Sequence, residues 1–223
     1  MTAESGDRFA AGLRGFGPLG LLAIVAVLSG NFIVAPLSAL LVLLWARASR
    51  TPWRELGFVR PRSWTESLLV GVLFGVAFKL VMKAVVMPLL GAPPVNAAYQ
   101  YLAGNRAALP GMVLAVTVGA GFGEETVFRG YLFERLGKLF GSDAVARAAI
   151  VLLTSGLFGL AHYWDQGVPG VEQAVVTGLV FGSIFAATGR LWTLIFAHAA
   201  FDLTAVAIIY CGLESKLAHL LFR

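Results

Sequence analysis

The chain has 223 residues, 58% of them hydrophobic and only 13% charged, with a mean hydropathy of +0.82. Soluble domains carry about 25% charged residues, so a soluble globular class is excluded and an integral membrane protein is expected. A net charge of +5 and a pI near 9.7 would suit nucleic-acid binding in a soluble chain. Here the basic residues crowd into segments between apolar runs, as the positive-inside rule requires. Membrane lipid is the expected partner, and nucleic acid is not.

Arg8 and Arg14 followed by "LGLLAIVAVLSG" have the outline of a signal peptide. No small-x-small cleavage site follows and the apolar character resumes at once, so the segment is read as retained. A bilayer core of about 30 Å needs about 20 apolar residues in a helix. On that count residues 9–29 and 31–48 form a helical hairpin turning at Gly30–Asn31. Further helices are expected over 66–87, 109–137, 144–163, 170–189 and 191–211, with a short interfacial tail. The fold class is all-α: a polytopic transmembrane helix bundle of about seven helices, with six to eight as the range. Residues 1–223 are read as one membrane-embedded domain.

Charge sets the topology. The loop from Arg47 to Glu66 carries Arg47, Arg50, Arg54, Arg60 and Arg62, which puts it in the cytoplasm. The uncharged "GAPPVNAAYQYLAGN" then lies outside, the loop with Arg135, Lys138 and Arg147 inside, and "DQGVPGVE" outside, where Asp165 and Glu172 read as solvated charges. The N-terminus falls in the cytoplasm. Lys79 and Lys83, one turn apart in the third long helix, either snorkel outward or face the bundle interior. Neither an internal repeat nor a phosphate-binding glycine loop is present in the sequence, which disfavours a transporter. The single Cys211 offers neither an internal disulfide nor a metal framework.

Ionisable groups at membrane depth cost about 2.5–3.5 kcal/mol or more each, so they face inward and mark function. They are few: Glu124, Glu125 and Arg129 on the fourth helix, His162 ending the fifth, and His198 and Asp202 on the seventh. Glu125 and Arg129, at i and i+4, share a face and can pair. Glu124 points about 100° away and is left free. His198 and Asp202 are also i, i+4, as are Phe158 and His162. Three helices thus carry carboxylates and imidazoles that converge if they meet at one depth. One use is a divalent metal held by Glu124, His162, His198 and Asp202, with an open position for water. The other is a metal-free site in which Glu124 and a histidine activate water while the remaining pair stabilises an oxyanion. Hydrolysis is the natural class for either. Taken singly, the groups have plainer readings: a buried structural pair for Glu125–Arg129, an interhelical hydrogen bond for each histidine, core packing for Phe158.

"EETVFRG", "FGLAH" and "HAAFD" resemble, in order, the EExxxR, FxxxH and HxxxN/D motifs of the CPBP intramembrane proteases. That family includes the type II CAAX prenyl endopeptidases and the bacterial Abi-type proteins. The flanking "GYLFERL", "TGRLWTLIFAHAAFD" and "ELGFVRP" look similar too, so the resemblance spans about residues 55–206, with its core in 110–206. It implies an endopeptidase acting on a membrane-associated peptide or protein, in a bacterial inner membrane. By position, Glu124 with His162 resembles the water-activating pair, His198 and Asp202 the oxyanion or metal pair, and Arg129 a partner for the glutamates. The family is described both as zinc-dependent and as metal-independent. Asp202, where the prenyl endopeptidases have Asn, is a poorer oxyanion donor and a better metal ligand, which favours Zn2+ or another divalent ion. A catalytically inactive immunity or scaffold protein on the same bundle is the alternative reading. On the expected topology His162 sits near the outer end of its helix and His198 nearer the inner end of its own. A single site requires the two imidazoles within about 12 Å, since a reacting centre must lie about 3 Å from its catalytic groups.

Overall fold

The computed structural model describes residues 3–33 and 35–222. Among them only helices and connecting turns occur. Ala3–Arg14 (α1) is followed by Pro18–Ile33 (α2) and Ala35–Ala48 (α3). The long elements are Trp64–Leu89 (α4), Arg106–Phe140 (α5), Ala144–Ala161 (α6), Tyr163–Thr188 (α7) and Trp192–Tyr210 (α8), and a short Glu214–Ala218 (α9) follows. Five of these, α4 to α8, are long and apolar enough to cross a bilayer; α1 and α2, bent by 58°, form a sixth if they act as one broken span. Leu22, Leu73 and Leu160, each more than 60% exposed, show the apolar outer surface such a bundle turns to lipid. The chain is an integral membrane protein, roughly as the seven-helix expectation had it.

The departures have local causes. The expected helix 9–29 is cut at Gly15–Phe16–Gly17, where two glycines precede Pro18 at the first position of α2; proline is tolerated there because its missing N–H would be unsatisfied anyway. The hairpin turn expected at Gly30–Asn31 is instead helical, α2 running on to Ile33; residue 34, between the two helices, lies outside the described residues. The expected loop "DQGVPGVE" is taken into α7 and interrupted only at Gly167, whose φ of 63° and ψ of −158° leave the helical region. Glycine meets this break at little steric cost.

Two stretches are wound more widely than an α-helix, with i→i+5 hydrogen bonds: Met82–Val86 within α4 and Ala115–Tyr131 within α5. Such turns are rare and concentrate at functional sites. The second contains every ionisable group of "GFGEETVFRG".

The bundle is closed by close backbone approach. Gly71 and Gly75, a small-xxx-small pair on α4, face α8: a methyl on Gly71 would lie 2.7 Å from the Thr193 carbonyl, and one on Gly75 would collide with the Ala197 carbonyl. Gly121 brings α5 equally near α8, against Ala199. In lipid, where apolar burial between helices gains little, this packing is what holds helices together. On the other side of α5, Arg135 donates to the carbonyls of Arg14 and Gly15 at 2.8–3.0 Å and ties α1 to the bundle.

Candidate active site

The charged groups of "GFGEETVFRG" divide as their spacing suggests. Glu125 is fully buried and Arg129 nearly so; Arg129 Nη1 lies 2.9 Å from Glu125 Oε1. This is an ion pair rather than an aligned hydrogen bond, since neither Nη has a hydrogen-bond partner among the described residues. The guanidinium is sandwiched instead, 4.6 Å from the Phe158 ring and 5.6 Å from that of Phe181, where cation–π attraction in a dry site supplements the pairing. Phe158 is thus core, as expected, and also the platform under Arg129.

Sequence spacing does not reveal that Glu125 has a second task. Its Oε1 lies 2.7 Å from His198 Nδ1, fixing the imidazole of α8 from α5. His198 is buried, and its other nitrogen faces open space between two carboxylates: Nε2 is 3.7 Å from Glu124 Oε2 and 3.6 Å from Asp202 Oδ2. Both are longer than a hydrogen bond. Glu124 Oε2 is buried and has no hydrogen-bond partner among the described residues.

His162 stands where α6 ends and α7 begins, with φ −90° and ψ −6°, the bridge region in which active-site residues are often found. Its Nδ1 lies 2.8 Å from the Phe158 carbonyl. With Nδ1–H donating to that oxygen, Nε2 carries the lone pair. The Phe158 ring is 4.6 Å from His162 and 6.1 Å from His198, centroid to centroid. The two imidazoles can therefore be no farther apart than those steps laid end to end, inside the limit of about 12 Å. The difference in depth expected from the sequence does not keep the two rings apart, because Phe158 lies against both.

Glu124, His162, His198 and Asp202 all line one cavity of about 1100 Å³. Its cover, residues 92–102, is part of the segment expected to be an external loop. Ala97–Leu102 is a helical turn with Leu102 fully buried. Tyr99 lines the cavity, and Gln166 Nε2 reaches its hydroxyl at 3.4 Å. Burial, reinforced by the negative charges of Asp202 and Asp165, pushes the Tyr99 phenol up to about 12, so it stays a neutral donor at physiological pH. Asp165, read as a solvated loop charge, is exposed but also lines the cavity.

Glu214 latches the cover. It accepts from Lys83 Nζ at 2.9 Å, from the Asn96 amide at 3.0 Å and from Gln100 Nε2 at 2.7 Å. Nothing in the uncharged loop signalled this, although Lys83 and Glu214 were each visible as charges beside apolar runs. Both lysines face inward: Lys79, 7% exposed, donates to Gln173 Oε1 at 2.8 Å.

Among the described residues no three His, Cys, Asp or Glu side chains are grouped so that they could hold a metal ion. His198 has Nδ1 engaged by Glu125 and His162 has Nδ1 turned to its own helix, which leaves Nε2 of each ring without a hydrogen bond among the described residues.

A family model described as type II CAAX prenyl endopeptidase Rce1-like matches residues 106–204, the segment from the start of α5 to two residues past Asp202. No curated protein and no solved structure matches the chain.

Proposed function

We propose, from the match of residues 106–204 to the type II CAAX prenyl endopeptidase Rce1-like family model, that the chain is an intramembrane endopeptidase using Glu124 and His162 to activate a water. The observation carrying this reading is the free, buried Glu124 Oε2, facing His198 Nε2 across 3.7 Å in a cavity that His162 also lines. A carboxylate so placed has an unmet need for a proton donor, which a cavity water supplies.

The residues divide the work as follows. Glu124, with His162 Nε2 as second acceptor, draws a proton from the water as its oxygen attacks the scissile carbonyl carbon. The carbonyl oxygen turns toward His198 Nε2–H, whose ring is held square by Nδ1–H on Glu125. Asp202 stabilises the charge on His198, and Arg129 offsets Glu125. Glu124 then returns its proton to the amide nitrogen as the C–N bond breaks. The products are an amine and a new carboxylic acid, with water consumed. No step passes through a metal.

The substrate is a membrane-associated peptide or protein reaching the cavity from the bilayer. The arginine-rich segment 47–62 supports a cytoplasmic position for that loop in a bacterial inner membrane, and with the seven-helix count a cytoplasmic N-terminus. The test compares cleavage of a membrane peptide by purified wild type, Glu124→Gln and His162→Ala. Equal rates in all three would sink the assignment.

A further inference from the structure

Lys79 and Lys83 are alike in sequence, one turn apart on an apolar helix, but they end in different states. Lys83 has a counter-charge and a second acceptor, Glu214 Oε1 and the Pro94 carbonyl, both at 2.9 Å. Lys79 lines the same cavity as the candidate catalytic groups and is more deeply buried. The groups it touches there are neutral, Gln173 Oε1 at 2.8 Å and the ring of Phe201, 4.6 Å from Nζ, while Asp202, Glu214 and Lys83 act on it only from beyond contact. No carboxylate of the described residues lies within ion-pairing distance of it. Asp202 is next to Phe201 in the chain but turns to His198, 3.6 Å away. An ammonium has three donors, and one is used. A buried cation without a counter-charge is costly unless a partner arrives.

We infer that Lys79, oriented by Gln173, is an anion-binding subsite that takes a carboxylate of the peptide substrate, and so sets where the chain is cut. The inference rests on reading the cavity as a peptidase site. Phe201 joins the two ends: its ring underlies the Lys79 ammonium, and the next residue, Asp202, faces the reacting centre. A carboxylate on Lys79 therefore sits within a few peptide units of the scissile bond, each unit spanning at most about 3.6 Å. The carboxylate has two possible sources, the free C-terminus of the substrate or an acidic side chain close to the cut. In either case the anion enters a site that already holds its cation, and the incoming charge is compensated on arrival.

The experiment uses full-length protein in nanodiscs and three degenerate pools of N-acetylated apolar peptides. One pool ends in a free carboxylate, one in a carboxamide, and one in a carboxamide with a glutamate near the end. Retention on the Glu124→Gln protein and cleavage by wild type are both read by mass spectrometry. At least one anionic pool is expected to be retained about tenfold or more over the neutral pool, the size of one charge-assisted hydrogen bond. Which pool wins identifies the source. Lys79→Met is expected to abolish the preference and Lys79→Arg to keep it, both eluting as monodisperse protein. Retention with preference but without cleavage supports the subsite and counts against the peptidase reading. Cleavage without preference does the reverse. Equal retention of all pools, no retention of any, or a preference that survives Lys79→Met overturns the inference.

Discussion

Glu125 and His198 lie 73 positions apart in the chain and 2.7 Å apart in space, and the same glutamate oxygen pairs with Arg129 at 2.9 Å. One buried carboxylate thus orients the imidazole of α8 and balances the guanidinium of its own helix. Removing one member of a buried ionic set costs about 3–5 kcal/mol, because the remaining charge is left uncompensated. Arg129→Met and Glu125→Gln are each expected to lower the unfolding midpoint in detergent. The double variant should lose clearly less than the sum of the two. Strict additivity in a thermal-shift series would show that the pair is not coupled.

Glu124 behaves differently under substitution. Its Oε2 has no hydrogen bond to lose, so Glu124→Gln is expected to leave the unfolding midpoint unchanged or slightly raised. Peptide cleavage should fall by about 10²–10⁴-fold, the usual contribution of a general base. Parallel loss of stability and activity would recast Glu124 as structural.

On the metal-free proposal, cleavage by wild type is expected to survive dialysis against EDTA within about twofold, well inside the loss of 1.4 kcal/mol that a tenfold change represents. The same arrangement predicts that Asp202→Asn keeps most of the activity, because an amide can donate toward the oxyanion. Asp202→Ala should lose more than Asn does. Restoration of chelated enzyme by zinc would contradict the metal-free proposal.

Gly75→Ala inserts a methyl into the Ala197 carbonyl across the α4–α8 seam. Over-packing of this kind costs about 1–3 kcal/mol, so the variant should unfold at lower temperature. Gly137→Ala, where a methyl meets nothing within 4 Å, should not unfold earlier and is the control.

Glu214 is the clasp on the cavity cover, and its carboxylate accepts the Asn96 amide directly. Glu214→Ala is expected to speed hydrogen exchange at Asn96 and its neighbours by about tenfold or more, the effect of losing about 1.4 kcal/mol of local protection. Exchange in α8 should not change. Uniform acceleration across the protein would mean global destabilisation rather than a released cover.

Helical period was enough to separate Glu124 from the Glu125–Arg129 pair, because i, i+4 neighbours meet whatever surrounds them. The wider winding of Ala115–Tyr131 was not legible: no proline marks it, and i→i+5 bonding leaves no simple residue pattern. The end of α6 at His162, with α7 starting at the next residue, was not legible either. His198 on Glu125 and Glu214 on Asn96 are long-range pairs that no local pattern encodes. The different fates of Lys79 and Lys83 depend on which helix lies opposite, which is a property of packing alone.

The glycine seam has one more consequence. Gly71 and Gly75 lock α4, which carries Lys79, against α8, which carries His198 and Asp202. Two helices in backbone contact cannot breathe apart, so the seam makes that wall of the cavity a ruler of fixed length. On the proposed reading, a substrate held at Lys79 through a free C-terminus is cut at a set distance from that end, and its released fragments should share one length whatever their side chains.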